Sequence, residues 1–403
     1  MASKLVVLAV LSALLGYYVY TPIPEAVEER WKLMLVDAAF RSLEHLAELT
    51  ELIGFKHYME MMMVLTVAES VDPSSDENVN VTDTTFNKVP VRVYEPISQS
   101  PGLRRAVIYM HGGGWCLGSA KMQPYDFLSR KSATELDAVI ISVEYRLAPE
   151  YHFPDQYNDV YTVVKYFLQR DVLLQHSVDP GRVALSGDSA GGNLAAAVAQ
   201  QIQEDPDVQG EIKIQALIYP ALQTIDFNTP SYQQNENMPI LPKTLMVRFW
   251  SEYFSCDKLL LQNMMANSHT TLESRSLSNF ANWSIHLPEK FRKDYKYMLP
   301  DRGNTDSSAR IPGVFDPRAA PLLVGDEKLR SLPQAYIATC EFDVLRDDGA
   351  IYATRLEKAG VQVTHEHFEE SFHGAFMFIT WPTDFAIGQK MVSHYIDWLR
   401  KNL

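Results

Sequence analysis

Short apolar runs rich in β-branched residues alternate with segments of helical periodicity over most of the chain. Six runs predict strands, at Ala106–Met110, Ala138–Val143, Val183–Ser186, Gln215–Tyr219, Ala335–Thr339 and Val361–His367. Before them, Val81–Phe86 and Val89–Tyr94 predict an antiparallel pair. Helical stretches such as Tyr157–Arg170 and Asn193–Gln203 lie between most of the strands. This alternation predicts an α/β fold whose mostly parallel sheet carries helices on both faces.

Two regions interrupt the alternation. Apolar residues recur at helical spacing from Trp31 to Val71. The connection between Tyr219 and Ala335 is too long for a simple crossover, and it contains an amphipathic stretch, Leu241–Phe254. We expect both regions, about 25–75 and 225–315, to fold over the sheet as a helical cap.

Four methionines in the first of these regions, Met59 and 61–63, have two interpretations. They are packed in the core, or they form an adaptable apolar wall over a pocket. The sequence leaves both open.

The first residues predict a membrane anchor at 1–20. Met1 to Lys4 form a short positively charged head, and the apolar run Leu5–Tyr20 follows. A cleaved signal peptide is the alternative, although the end of the run lacks a small-x-small pattern. Lys4 before the run and the acidic stretch after it predict a single-pass segment with residues 21–403 in the lumen.

Charge and sequons add to this picture. The formal net charge of −14 argues against binding to nucleic acid through a basic surface. Asn80-Val81-Thr82 and Asn282-Trp283-Ser284 are acceptor sequences for N-glycosylation, which agrees with a luminal domain.

The strongest chemical signal is Gly187-Asp188-Ser189-Ala190-Gly191, between a predicted strand and a predicted helix. Glycines flank a serine in this way where a sharp strand-to-helix turn exposes the hydroxyl above the sheet. The N-terminus of the following helix favours negative charge beside the serine. Ser189 is therefore predicted to be a nucleophile.

A second motif, His111-Gly112-Gly113-Gly114-Trp115, follows the strand Ala106–Met110. Consecutive glycines leave backbone N–H groups free to stabilise an oxyanion. We expect the oxyanion hole to come from Gly112, Gly113 and Gly114, chiefly the last two, together with Ala190.

The acid and the base should follow later strands. Asp343 comes directly after Ala335–Thr339, and His373 lies in the loop after the last predicted strand. Asp347 and Asp348 compete with Asp343, but they fall at a helix start, where acidic residues are expected as caps. His365 and His367 lie within a strand. The chain order Ser189, Asp343, His373 is that of α/β-hydrolases and predicts acyl transfer through a covalent intermediate.

This mechanism requires no metal or cofactor, and the sequence shows no clustered Cys/His spacing typical of a metal site. The three cysteines are Cys116, Cys256 and Cys340. Cys116 and Cys340 both lie close to the predicted catalytic loops. They are expected either to pair as a disulfide in an oxidising lumen, leaving Cys256 free, or to remain two buried thiols.

Taken together, these motifs resemble the hormone-sensitive-lipase branch of the α/β-hydrolases, and within it the arylacetamide deacetylase family. The resemblance rests on His111–Trp115, Tyr145–Pro149, Gly187–Gly192 and Asp343 with Leu345–Asp347. It implies a type II protein of the endoplasmic reticulum membrane that hydrolyses short-chain acyl esters and arylacetamides, with possible action on neutral lipid esters. The family's nucleophile, acid and base correspond to Ser189, Asp343 and His373.

Two alternatives follow from the same residues. The enzyme could act instead on cholesteryl or other neutral lipid esters, and the sequence does not separate the two substrate classes. Proteins of this fold that serve as ligand receptors without catalysis lack the histidine, whereas this chain retains His373. The sequence gives neither the oligomeric state nor the acyl-chain limit.

Overall fold

The computed structural model describes residues 2–208, 210–271, 274–298 and 313–403. The strands are β1 Val79–Phe86, β2 Val89–Pro96, β3 Arg104–Met110, β4 Ala138–Val143, β5 Val178–Asp188, β6 Ile212–Ile218, β7 Gln334–Phe342 and β8 Val363–Phe372. The first helices are α1 Ala2–Val19, α2 Arg30–Leu52, α3 Tyr58–Ala68, α4 Gln123–Leu136, α5 Asp155–Phe167, α6 Arg170–Gln175 and α7 Ala190–Ile202. The later helices are α8 Pro230–Gln234, α9 Lys243–Phe254, α10 Lys258–Met265, α11 Trp283–His286, α12 Glu289–Arg292, α13 Asp326–Leu329, α14 Arg346–Ala359 and α15 Ala386–Asn402, with 3-10 turns at Ser274–Asn279 and Ala375–Met377.

The eight strands form one sheet in the order β1-β2-β4-β3-β5-β6-β7-β8. β1 pairs antiparallel with β2, and β2 pairs antiparallel with β4. All remaining pairs are parallel, so β3 to β8 end at the same edge of the sheet. The prediction of a leading antiparallel pair and a mostly parallel sheet is confirmed.

Helices cover both faces of the sheet, as the alternation predicts. One hydrophobic cluster lies on the face covered by α5, α7 and α14, and the other on the face covered by α4 and α15. The interior strand β4 is buried along its whole length, which explains its unbroken apolar sequence. Helix α7 is rich in buried alanine, and small side chains let it pack close behind the end of β5.

The predicted helix Tyr157–Arg170 is confirmed as α5, which ends at Phe167, and the extended backbone of Gln169 separates it from the short helix α6. One predicted strand differs from the observed one at its end. Strand β8 continues beyond His367 to Phe372. Strand β8 lies at the edge of the sheet and pairs only with β7. Because several of its polar residues are half-exposed, the hydrophobicity pattern does not show where the strand ends.

The cap predicted around 25–75 contains α2 and α3, and α8 to α12 come from the predicted region 225–315. Helix α9 coincides closely with the predicted amphipathic stretch Leu241–Phe254. Residues 299–312 of this region lie outside the described residues.

The predicted anchor segment corresponds to helix α1. Within the described ranges, none of the helices combines the length and the apolar character needed to cross a membrane.

Candidate active site

The turn between β5 and α7 holds Ser189 in an unusual backbone conformation, with φ of 55° and ψ of −118°. A Cβ atom at Gly187 would lie 2.5 Å from the backbone of Gly191, and one at Gly191 would collide with the Met110 carbonyl. Both positions therefore require glycine. The strained turn lifts the serine side chain out of the strand, as the motif predicts.

Three side chains from separate strand ends form a hydrogen-bonded line. The Nε2 atom of His373 lies 3.0 Å from Ser189 Oγ, and its Nδ1 atom lies 2.9 Å from Asp343 Oδ2. The backbone N–H of Leu345 donates to Asp343 Oδ1 at 2.8 Å. All three side chains are buried. Because Asp343 accepts from the Nδ1–H group, the lone pair of Nε2 faces the serine hydroxyl, the arrangement that a general base needs.

The competing acidic residues have other partners. Asp347 accepts from the backbone N–H of Ser231 at 2.7 Å, and Asp348 accepts from that of Leu222 at 2.9 Å. Both are fully buried at the start of α14, and burial raises the pKa of Asp348 to about 7. They join α14 to the connection after β6 and do not contact His373.

The two strand histidines are also engaged elsewhere. His365 and His367 both lie about 3 Å from the hydroxyl of Thr339, at 2.9 Å and 3.0 Å. His367 pairs in addition with Glu341 at 2.9 Å. Both belong to the packing between β7 and β8.

The glycine loop after β3 supplies free amides, but not all of those predicted. The N–H groups of Gly113, Gly114 and Ala190 donate to no group within the described part of the chain. The N–H of Gly112 instead faces the Tyr125 hydroxyl at 2.8 Å and Asp188 Oδ1 at 3.0 Å. The assignment of Gly112 to the oxyanion hole is therefore wrong, because its only donor is already used.

Asp188, within the serine motif, is a site residue that was not predicted from the sequence. Its carboxylate is buried beside the serine and accepts hydrogen bonds from Tyr109 at 3.0 Å and Tyr125 at 3.2 Å, as well as from Gly112. Burial raises the pKa of Asp188 to about 6, although these donors oppose the rise. The carboxylate thus ties the turn at Ser189 to the glycine loop. Its position inside the G-x-S-x-G pattern was the sequence signal from which Asp188 could have been identified.

His111 supports the loop from the other side. Its ring stacks on that of Tyr145 at 4.2 Å, and its carbonyl accepts from the Tyr145 hydroxyl at 2.7 Å. The side chain is fully buried, which lowers its pKa. His111 is therefore a buried neutral support for the loop, and Tyr145 is its partner.

Cap residues close over the loop. A Cβ atom at Gly114 would collide with the ring of Phe249 on α9. Trp115 stacks on Tyr253 at 4.4 Å and contacts Trp250 at 4.3 Å. Of the four methionines, Met59 and Met62 are fully buried in the core cluster, whereas Met61 and Met63 are partly buried against it, so the core interpretation is confirmed.

Of the two alternatives for Cys116 and Cys340, the structure has two buried free thiols, so the disulfide alternative is wrong. Cys116 packs into the cluster on the α5 and α7 face of the sheet. Cys340 on β7 points into the cluster on the α4 and α15 face. The two thiols therefore lie on opposite faces of the sheet, although each is near the end of a parallel strand.

The predicted glycosylation positions lie in different surroundings. Asn80 is exposed on β1. Asn282 is half-buried and caps α11 by accepting from the Ser284 N–H at 3.0 Å.

Comparison with known proteins agrees with this geometry. Residues 107–299 and 305–377 match the alpha/beta hydrolase fold family. The chain is 52% identical to arylacetamide deacetylase of Oryctolagus cuniculus over 400 residues, covering 99% of this chain and 100% of that protein. It is 48% identical to neutral cholesterol ester hydrolase 1 of Bos taurus over 408 residues, covering 100% of both. A solved esterase of Pyrobaculum calidifontis has a TM-score of 0.60 at 27% identity, covering 85% of this chain and 90% of that one.

The resemblance to arylacetamide deacetylases is thus confirmed over nearly the whole length. The matched residues include the glycine loop, the turn at Ser189 and both later strand ends. The chain therefore belongs to the alpha/beta hydrolase family, and it is a serine hydrolase.

Proposed function

We propose that this hydrolase cleaves carboxylic esters and arylacetamides of small or apolar substrates through an acyl-enzyme. In this proposal Ser189 is the nucleophile, His373 the general base and Asp343 the residue that orients the histidine. The observation that carries it is the continuous line of hydrogen bonds, 3.0 Å from Ser189 to His373 and 2.9 Å from His373 to Asp343.

The reaction follows from these atoms. Ser189 Oγ attacks the carbonyl carbon while its proton passes to His373 Nε2. The amides of Gly113, Gly114 and Ala190 stabilise the negative oxygen of the tetrahedral intermediate. His373 then protonates the leaving alcohol or amine as its bond to the acyl carbon breaks. Water attacks the acyl-enzyme by the same route and regenerates Ser189.

An aromatic ring beside the proposed reaction centre supports apolar acyl or aryl groups as substrates. Phe249 lies against Gly114 of the glycine loop. Such a ring offers a large apolar contact to a substrate. The 52% identity to an arylacetamide deacetylase supports the deacetylase form of the proposal.

Neutral lipid esters, including cholesteryl esters, are the second candidate substrates. They are favoured by the 48% identity to a neutral cholesterol ester hydrolase and by exposed apolar residues on the cap. Leu52 and Phe55, at the end of α2 and just beyond it, are 84% and 71% exposed. A surface of this kind would suit contact with a lipid phase.

One experiment separates these candidates. The full chain is assayed with nitrophenyl esters of rising acyl length, an arylacetamide and a cholesteryl ester, beside Ser189→Ala. We expect a rate that peaks at short acyl chains and includes amide cleavage, and a loss of roughly a million-fold in the variant. Preference for long-chain or cholesteryl esters would favour the second candidate. Turnover that survives in the variant would contradict the role of Ser189, and absence of any turnover would favour a ligand receptor.

We further propose that the protein is anchored in the endoplasmic reticulum membrane by residues 1–20, with the remainder in the lumen. The exposed apolar side chains of α1, such as Leu5 at 66% and Leu15 at 64%, support an apolar surrounding for this helix. Exposed Asn80 supports glycosylation of the luminal part. Glycosidase treatment of cellular protein, with Asn80→Gln and Ser284→Ala as matched variants, tests the orientation. A mobility shift that disappears with the two changes is expected, and an unshifted wild type would place the domain outside the lumen.

A further inference from the structure

The cap helices α3 and α9, together called the roof below, carry a group of soft and hard ligand atoms that the hydrolase mechanism does not use. His57 precedes and caps α3, Glu252 lies in the last turn of α9, and Cys256 follows that helix. One ligand atom from each residue lies within 4.8 Å of the others. The ligands of a tetrahedral zinc ion stand roughly 3.3–3.8 Å apart, given bond lengths of about 2.0–2.3 Å. The three atoms therefore need only a small contraction to surround one ion.

Glu252 has an unused ligand atom. The residue is 6% exposed, and its Oε2 atom is buried without a hydrogen-bond partner among the described residues. Its other oxygen, Oε1, faces His57 Nε2 at 3.5 Å and Arg248 Nε at 3.7 Å. A buried carboxylate oxygen without a partner costs free energy, and a bound cation would remove that cost.

A fourth ligand would come from His152, which lies beside Cys256 but is not one of the three residues whose ligand atoms all lie within 4.8 Å of one another. The Nε2 atom of His152 lies 3.9 Å from Cys256 Sγ. Its Nδ1 atom lies 2.8 Å from the backbone carbonyl of Glu252, which can only accept a hydrogen bond. The Nδ1 atom is therefore the donor, and in the neutral ring the Nε2 lone pair points toward the thiol. Histidine ligands of metal ions are commonly oriented in this way by a carbonyl.

We propose that His57, Glu252 and Cys256, with His152 as the fourth ligand, bind a divalent cation of the zinc class. Imidazole, thiolate and carboxylate together suit zinc better than magnesium or calcium, which prefer oxygen ligands alone. As the metal–sulfur bond forms, the Cys256 thiol releases its proton to solvent. Binding at His57 Nε2 moves the ring proton to Nδ1, so the hydrogen bond that Nδ1 accepts from Met59 N–H is given up.

The site would connect the roof to the loop that carries the proposed oxyanion amides. Trp250 and Tyr253 of α9 contact Trp115, and the N–H of Phe153 donates to the Tyr253 carbonyl at 2.7 Å. An ion held by α3, by the end of α9 and by His152 would fix these three segments together. The ligands come from three distant parts of the sequence, which explains why no metal-binding spacing is visible there.

The test uses the full chain, freed of metal by a chelator and titrated with Co²⁺ and Zn²⁺. Cobalt reports a thiolate ligand through sulfur-to-metal charge transfer, and zinc affinity is measured by competition with a chromophoric chelator. We expect one ion per chain, a charge-transfer band and a rise in melting temperature with zinc. Cys256→Ser should abolish the band and weaken zinc binding by more than the roughly 10- to 100-fold that loss of an outer partner costs.

Two further variants make the result decisive. His152→Gln should weaken zinc binding while the Cys256 thiol is retained. His394→Gln is the matched control, because His394 is an exposed histidine beside Glu366 on the surface of the enzyme, and it should leave the affinity unchanged. Melting temperatures in chelator establish that each variant is folded. A band that persists in Cys256→Ser, an equal loss in His394→Gln, or no saturable binding by the wild type would overturn the proposal.

Discussion

The sheet edge that carries the triad and the roof that covers it are built in different ways. At the edge, Ser189, Asp343 and His373 each follow directly on a strand, so the backbone of the sheet fixes their separation. In the roof, Phe249 and Trp250 reach the glycine loop only because the side chains of distant segments pack together.

This difference separates the residues that cleave the substrate bond from those that control access of the substrate. Substitution at the edge should change the rate of bond cleavage while the fold survives. Substitution in the roof should change stability and substrate binding together, because the same aromatic side chains do both. Four predictions test that division, beginning with the largest effect.

Asp343→Asn should lower kcat by roughly ten thousand-fold with little change in stability. The Leu345 N–H holds one side-chain oxygen at 2.8 Å, so asparagine would keep that contact and present its NH₂ group to His373. Nδ1 would then have to accept, and Nε2 would carry the proton that it needs to remove from Ser189. Steady-state kinetics with a nitrophenyl acetate and a melting curve measure the two effects.

Asp347→Asn is the matched control for this variant. Asp347 is equally buried, but it pairs with Arg346 and Ser231 rather than with the histidine. We expect it to lower stability and to leave kcat within about tenfold. If both variants lost activity to the same extent, Asp343 would have no special place in the site.

The edge could be predicted from the sequence because each of its signals is local. The glycines around Ser189, the order of the three residues and the strand before each are all visible in short stretches. The predictions that failed concern the direction in which an N–H group or a side chain points, which a short stretch of sequence does not show. Gly112 and Gly113 are neighbours in one motif, yet only Gly112 has its N–H directed at Asp188. Likewise, side chains alternate between the two faces along β7, and this alternation places Cys340 on the face opposite to that of Cys116.

The roof was predicted only in outline for a related reason. Periodicity located α9 and indicated that it is amphipathic, but not which aromatic residue would meet which part of the glycine loop. The contact of Phe249 with Gly114 joins positions far apart in the chain, and no spacing rule connects them. The tyrosines that bind Asp188 were missed in the same way, because Tyr109 and Tyr125 belong to a strand and a helix with no motif of their own.

Gly114→Ala tests the contact between the glycine loop at the sheet edge and the roof. Its φ of 61° is unfavourable for alanine, and the added methyl group would meet the Phe249 ring. We expect kcat to fall by about 10²- to 10³-fold as the free amide is displaced, the effect of losing one oxyanion donor. Kinetics of Gly114→Ala, of Phe249→Ala and of the double variant measure the coupling.

The double variant should recover part of the rate lost in Gly114→Ala, because the obstructing ring is gone. Phe249→Ala alone should lower the free energy of unfolding by about 3–5 kcal/mol. Strict additivity of the two effects on kcat would mean that the loop and the roof act independently.

Asp188→Asn should have a smaller effect, a fall in kcat of roughly 10- to 100-fold. Hydrogen bonds to a charged group contribute about 1.5–3 kcal/mol, and the amide retains only one of the two accepting oxygens. The oxygen that accepts from both Tyr109 and Gly112 can be kept, so the loop should loosen without collapsing. A matched loss in Tyr125→Phe would support loop positioning, whereas normal kinetics in both variants would remove Asp188 from the site.

The smallest effect is expected from Asp348→Asn, at the point where the connection to the roof leaves the sheet. Burial raises the pKa of Asp348 from its usual value near 3.8 to about 7, against hydrogen bonds from Leu222 and Gln223. The folded protein therefore binds a proton that the unfolded chain releases between about pH 4 and 7. Through this group, the free energy of unfolding falls as the pH rises across that window. Asparagine cannot ionise, so the variant should gain stability relative to wild type as the pH rises from 5 to 7, measured by urea unfolding. Asp326→Asn is the control, since Arg355 holds the pKa of Asp326 below its usual value and its offset should stay constant over the same range. A constant offset for Asp348→Asn as well would show that the carboxyl at this junction remains ionised throughout, and that the roof is joined to the sheet by a charged group rather than by a protonated one.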